Sequence, residues 1–172
     1  MLKRFQLASF CALTTAALAG SPAVAAPSSD WIGAWSASVQ PLWAPDFPLP
    51  IGLPRSFWMQ TLRQTVRTSV GGHKLRLVLS NEYGDAALPV SAADVAISDG
   101  GAKIKDGTDH ALTFAGSAGV SIPPGARMIS DPIDLDAPAL TSLSVSLYFG
   151  DNAPATTVHW EGVQTAYLGG FA

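Results

Sequence analysis

Apolar and polar residues alternate with a period of two along much of this chain, and no stretch keeps a helical period over three turns. The clearest case is 73–80, where Leu75, Leu77 and Leu79 fall on one face and polar residues on the other. Successive strand side chains point to opposite faces, so this is the pattern of a half-buried strand. A strand over 31–39 would put Trp31 and Trp35, four apart, on one face, toward a core. Residues 56–70 alternate around Phe57, Leu62 and Val66, and Gly71-Gly72 then signals a two-residue hairpin into 73–80. A turn at 81–85 follows. Further short strands are expected at 94–98, 111–114, 120–122, 128–135, 143–149, 157–161 and 164–168. Asp99-Gly100-Gly101, Pro123-Pro124-Gly125 and Gly150-Asp151-Asn152 punctuate them. Short strands at this spacing predict an all-β fold, a single jelly-roll-like β-sandwich.

The alternation begins only after the first 26 residues. Lys3 and Arg4 precede an uncharged, Ala-rich run over 5–20, and Ala23-Val24-Ala25 and Val24-Ala25-Ala26 are small-residue cleavage sites. This is the pattern of a secretory signal peptide, expected to span 1–26, with the β-sandwich domain at 27–172. The apolar run is short for a membrane span of ~20 residues. The expected location is therefore secreted or periplasmic, with no membrane association after cleavage.

Composition narrows the function classes. Of 172 residues, 48% are hydrophobic and 13% charged, which suits one globular domain and argues against disorder. Ten basic against thirteen acidic residues give a formal charge of −3, which excludes a strongly basic nucleic-acid binder. The one cysteine, Cys11, lies in the signal segment, so neither an internal disulfide nor a Cys-based zinc site is expected. No cofactor or metal is called for.

Several segments resemble, in order, the N-terminal β-domain of secreted SGNH/GDSL-type hydrolases, an esterase and lipase family. They are 31–38 (WIGAWSAS), 60–72 (QTLRQTVRTSVGG), 75–84 (LRLVLSNEYG), 130–135 (SDPIDL), 143–149 (LSVSLYF) and 164–167 (QTAY). The resemblance implies a domain that precedes an α/β/α hydrolase domain acting on ester-bearing carbohydrates, such as acetylated ones. It also implies a catalytic Ser in a Gly-Asp-Ser motif and an Asp-x-x-His. Neither motif occurs here. The nearest string is Gly150-Asp151-Asn152, and the residues three before His73, His110 and His159 are Val70, Gly107 and Thr156. No catalytic residue is assigned, and the chain is expected to be inactive alone, as a truncated or free-standing accessory domain. Its end, soon after Tyr167, falls where the linker to the hydrolase domain is expected. The implied partners are a polysaccharide or that missing domain.

Other chemistry finds little support in the residues. Ser117, in Ala115-Gly116-Ser117-Ala118-Gly119, is out of register for a nucleophile elbow and reads as a small-residue turn. Asp106 with Asp109, and Asp131 with Asp134 and Asp136, are the acidic groupings, without the spacing of a calcium loop. A jelly-roll polysaccharide lyase or hydrolase would draw on Tyr167, His159 and Arg67. Arg63 and Arg67 share a strand face, with Arg76 expected across the hairpin and Glu82 and Asp85 as ion-pair partners.

Binding is the activity these residues favour. Five tryptophans are many for one domain, and aromatic faces stack on sugar C–H surfaces. The candidate ligand-binding residues are Trp43, Phe47 and Trp58. Trp43 and Phe47 lie in a proline-rich loop over 40–54, which proline stiffens before a ligand arrives.

Overall fold

A computed structural model describes residues 31–48, 52, 54–160 and 162–169. The expected signal peptide at 1–26 lies outside the described residues. The chain divides into two units, 1–32 and 33–172, and the fold below is that of the second.

The all-β expectation holds. The strands, in chain order, are β1 (Gln40–Pro41), β2 (Ser56–Phe57), β3 (Gln60–Arg67), β4 (Gly72–Leu75) and β5 (Val78–Ser80). They continue with β6 (Leu88–Val90), β7 (Ala92–Ile97), β8 (His110–Ala111), β9 (Val120–Ile122) and β10 (Arg127–Ile129). The last are β11 (Ile133–Ala137), β12 (Ser142–Phe149), β13 (Ala153–Pro154), β14 (Thr157–Val158) and β15 (Tyr167–Gly169). Among the described residues these form one five-stranded sheet, in the order β15-β3-β12-β7-β8, and five two-stranded ladders. The ladders are β1–β14, β2–β13, β4–β11, β5–β10 and β6–β9, and every pairing is antiparallel.

The centre of the large sheet follows from the alternation in β12. Leu143, Val145 and Leu147 pair with Val66, Gln64 and Leu62 of β3 on one side, and with Ile97, Val95 and Ala93 of β7 on the other. This inner face joins one hydrophobic core with Leu79 of β5, Val90 of β6, Ile122 of β9, Leu135 of β11, and Leu112 and Phe114 beyond β8. The β2–β13, β4–β11, β5–β10 and β6–β9 ladders thus share this core with the sheet in a sandwich-like arrangement. Phe57 stacks on Phe149 with ring centroids 4.9 Å apart and planes 15° apart, which ties β2 into the same core. Leu112, Ile122 and Leu143 are fully buried, and each such side chain contributes roughly 1.5–3 kcal/mol of apolar transfer.

The other face of β12 is polar and also covered. Ser142, Ser144, Ser146 and Tyr148 pair with Arg67, Thr65, Arg63 and Thr61 of β3. Ser144 and Ser146 are buried, so the central strand is enclosed on both sides.

Several expectations are corrected. Residues 31–39 form no strand, and Trp31 and Trp35 are exposed rather than core. Ile32 between the rings is also exposed, and Gly33 and Ala34 beside it offer little apolar surface to bury. The expected strand over 56–70 breaks at Trp58-Met59, where Met59 takes a left-handed φ of 48°. The expected strand over 73–80 divides into β4 and β5, although Leu75, Leu77 and Leu79 keep their inward face.

Gly71-Gly72 is not a hairpin between β3 and β4. β3 pairs with β12 and β15, while β4 crosses to pair with β11. Gly71 serves close packing instead, since a Cβ there would stand 2.7 Å from the backbone nitrogen of Ala139. Arg76 accordingly does not lie across a hairpin from Arg63 and Arg67.

Candidate binding surface

The aromatic cluster is built by a short ladder and a tight turn. β1 pairs with β14, Gln40 opposite Val158 and Pro41 opposite Thr157, and the Leu42 N–H donates to the Thr156 carbonyl at 2.9 Å. This brings the loop after β1 beside the segment after β14. The next residues turn at Ala44-Pro45-Asp46-Phe47, closed by the Phe47 N–H donating to the Ala44 carbonyl at 3.1 Å. Proline at the second turn position presets the backbone for that geometry.

The turn folds Phe47 against Trp43, with ring centroids 4.1 Å apart and planes tilted by 34°. Trp160 also packs on Trp43, with ring centroids 4.4 Å apart and planes tilted by 43°. Trp43 and Phe47 are half-buried, and Trp160 is 40% exposed. The Arg55 guanidinium donates to the Trp43 carbonyl at 3.3 Å, and His159 Nδ1 lies 2.9 Å from the Ser38 carbonyl. Two of the three candidate residues are therefore brought together. Trp58 is 56% exposed at the break between β2 and β3 and is not part of this cluster. Trp160 is the member that sequence reasoning missed as a partner of Trp43. Its signal lay in His159-Trp160-Glu161, which needed the β1–β14 pairing to acquire a place.

The arginines take structural posts. Arg63 Nε donates to Ser146 Oγ at 2.8 Å and its Nη1 to the Ala102 carbonyl at 2.6 Å. Arg67 Nε donates to the Leu140 carbonyl at 3.2 Å. Glu82 pairs with Arg127, not with Arg63, Arg67 or Arg76. Asp94, opposite Ser146 on the polar sheet face, has a carboxyl pKa pushed up by burial and by the nearby Asp109 charge, with Arg63 opposing.

The acidic grouping at 131–136 is dispersed. Asp131 accepts from Thr113 Oγ1 at 2.6 Å and from the Gly116 and Ala115 amides at 2.8 and 3.2 Å. Those bonds, Thr113 foremost, hold its carboxyl below the usual value, with the Arg76 charge adding to the effect. Asp134 pairs with Lys74 at 2.7 Å, which likewise lowers its carboxyl pKa, and Asp136 pairs with His73 at 2.5 Å. Among the described residues no three His, Cys, Asp or Glu side chains gather as a metal site.

Ser117 lies in the turn expected for it. Its N–H donates to the Phe114 carbonyl, across Ala115 and Gly116, both of positive φ. Tyr167 and Arg67 lie on the large sheet, while His159 sits beside the β1–β14 ladder, so the three residues of the lyase reading occupy separate elements. No helix among the described residues is long and apolar enough to cross a membrane.

Comparison with known protein families finds no matching family, and no curated protein matches the chain.

Proposed function

We propose that this chain is a non-catalytic β-domain of a secreted SGNH/GDSL-type ester hydrolase, whose own task is to hold an ester-bearing carbohydrate. The observation that carries the reading is the contiguous cluster of tilted rings formed by Phe47, Trp43 and Trp160. Trp160, the most exposed of the three rings at 40%, rests on Trp43, which rests in turn on Phe47, and so offers an apolar aromatic face that is already held in place. Such a face takes the C–H side of a sugar ring by dispersion and apolar burial. The Pro45 turn holds the cluster before binding, which lowers the ordering entropy a ligand must offset.

In this reading the chemistry belongs to a hydrolase domain that supplies Gly-Asp-Ser and Asp-x-x-His. The β-domain contributes residence on the polymer, and the leader at 1–26 directs the chain to the secreted or periplasmic space.

The test is co-sedimentation of the protein with insoluble acetylated xylan, cellulose and chitin. Retention on one of these, lost in Trp43→Ala, supports the reading. Retention on none, or release of acetate by the chain itself, overturns it.

A further inference from the structure

On the polar face of the large sheet lies an open cleft of about 260 Å3, built by elements other than those of the aromatic cluster. Its side-chain lining includes Thr65 of β3, Ser142 of β12, Ser98 just after β7, and Tyr167 of β15. Gln164, Thr165 and the 100–101 turn complete the wall. The register explains the grouping. Thr65 stands opposite Ser144, Ser142 opposite Arg67, and Tyr167 opposite Arg63, all on the face turned away from the hydrophobic core. The turn at Asp99–Lys103, closed by the Asp99 N–H donating to the Lys103 carbonyl at 3.0 Å, rises beside this face. A Cβ on Gly101 would lie 3.7 Å from Tyr167 Oη, so the phenol and the turn close the same end of the cleft.

We infer that this cleft binds one neutral, polyhydroxylated ring, a single sugar unit. The lining side chains named are hydroxyls and one amide, groups that both donate and accept. That matches vicinal hydroxyls, each of which also does both. The adjacent cations are committed elsewhere, Arg63 to Ser146 and the Ala102 carbonyl, and Arg67 to the Leu140 carbonyl. The volume lies just under the ~300 Å3 where drug-sized sites begin, which fits one ring and not a chain of them.

The test is a titration of the isotope-labelled protein with D-xylose, D-glucose and N-acetylglucosamine, followed by amide NMR shifts. The expected result is saturable shifts for at least one sugar at Gly100, Gly101, Ser142 and Thr165. Tyr167→Phe and Ser142→Val should each weaken binding by roughly 3–10-fold, the loss of one neutral hydrogen bond. The same spectra report whether each variant is folded. Trp43→Ala should leave these shifts intact, which separates the cleft from the aromatic surface. Shifts that do not saturate, that move only around Trp43 and Trp160, or that survive unchanged in Tyr167→Phe would overturn the assignment. So would a stronger response to inorganic phosphate than to any of the sugars.

Discussion

Trp160 packs on Trp43 with ring centroids 4.4 Å apart, although the two residues come from opposite ends of the described chain. Two two-residue strands, β1 and β14, create the contact. The pair is thus a joint between the proline-rich loop and the carboxy-terminal segment as well as a surface. Aromatic pairs contribute about 0.5–1.5 kcal/mol beyond the area they bury. Trp160→Ala should therefore cost roughly 1–2 kcal/mol of local stability. Hydrogen exchange checks this, with faster exchange expected at the Leu42 amide, which bonds to Thr156. Unchanged exchange there would mean the joint holds without the ring.

Asn81 is a buried clamp. Its Nδ2 donates to the carbonyls of Ala86 and Ile122 at 2.9 and 3.0 Å, and it has only 1% exposure. Gly84 closes against it, since a Cβ there would stand 2.0 Å from Asn81 Oδ1. Asn81→Ala should cost about 2–3 kcal/mol by leaving carbonyls unsatisfied. Gly84→Ala should also destabilise the wild type, but cost much less in the Asn81→Ala background, where the clash is gone. Urea denaturation of the four-member cycle measures the coupling. Additive costs would refute the contact.

Asp94 and Asp131 should respond to pH in opposite directions. The Asp94 carboxyl is raised above its ordinary value of 3.8, chiefly by burial. Its stabilising contribution is present below that value and is lost as pH rises through the raised folded-state pKa. Asp94→Asn should therefore raise the Tm at pH 7, with the gain disappearing near pH 3. A lower Tm at pH 7 would mean that attraction to Arg63 outweighs burial and the Asp109 repulsion.

The Asp131 carboxyl is lowered from 3.8, first by the Thr113 hydroxyl and then by the turn amides. Its contribution is present above 3.8 and is lost as pH falls through the depressed folded-state pKa. Asp131→Asn should lower the Tm at pH 7 and flatten the fall of Tm below pH 3.8. Parallel acid limbs for mutant and wild type would place the acid sensitivity elsewhere.

Long alternating strands were legible in the sequence, and pairs of two-residue strands were not. β12 repeats Ser with Leu or Val, and its inner and outer faces follow from that pattern alone. β1 and β14 carry no period that two residues could express, so the meeting of Trp43 and Trp160 had no local signature. The partnership of Trp43 with Phe47 was closer to hand, because Pro45 and Asp46 between them are turn residues. Gly71 misled because small size serves a hairpin and a close backbone approach equally well. Trp31 and Trp35 misled for a related reason, since their spacing gives a shared face only on a strand, and 31–39 forms none. The polar cleft was hidden for want of register. Thr65, Ser142 and Tyr167 are ordinary strand residues until β3, β12 and β15 lie side by side.

The most direct test of the central claim is a binding isotherm of wild type and Trp43→Ala on the polysaccharide that retains the wild-type protein. A carbohydrate held on the clustered rings predicts affinity at least about tenfold weaker in the variant, equivalent to roughly 1.4 kcal/mol. Equal affinities, with the variant folded, would contradict it.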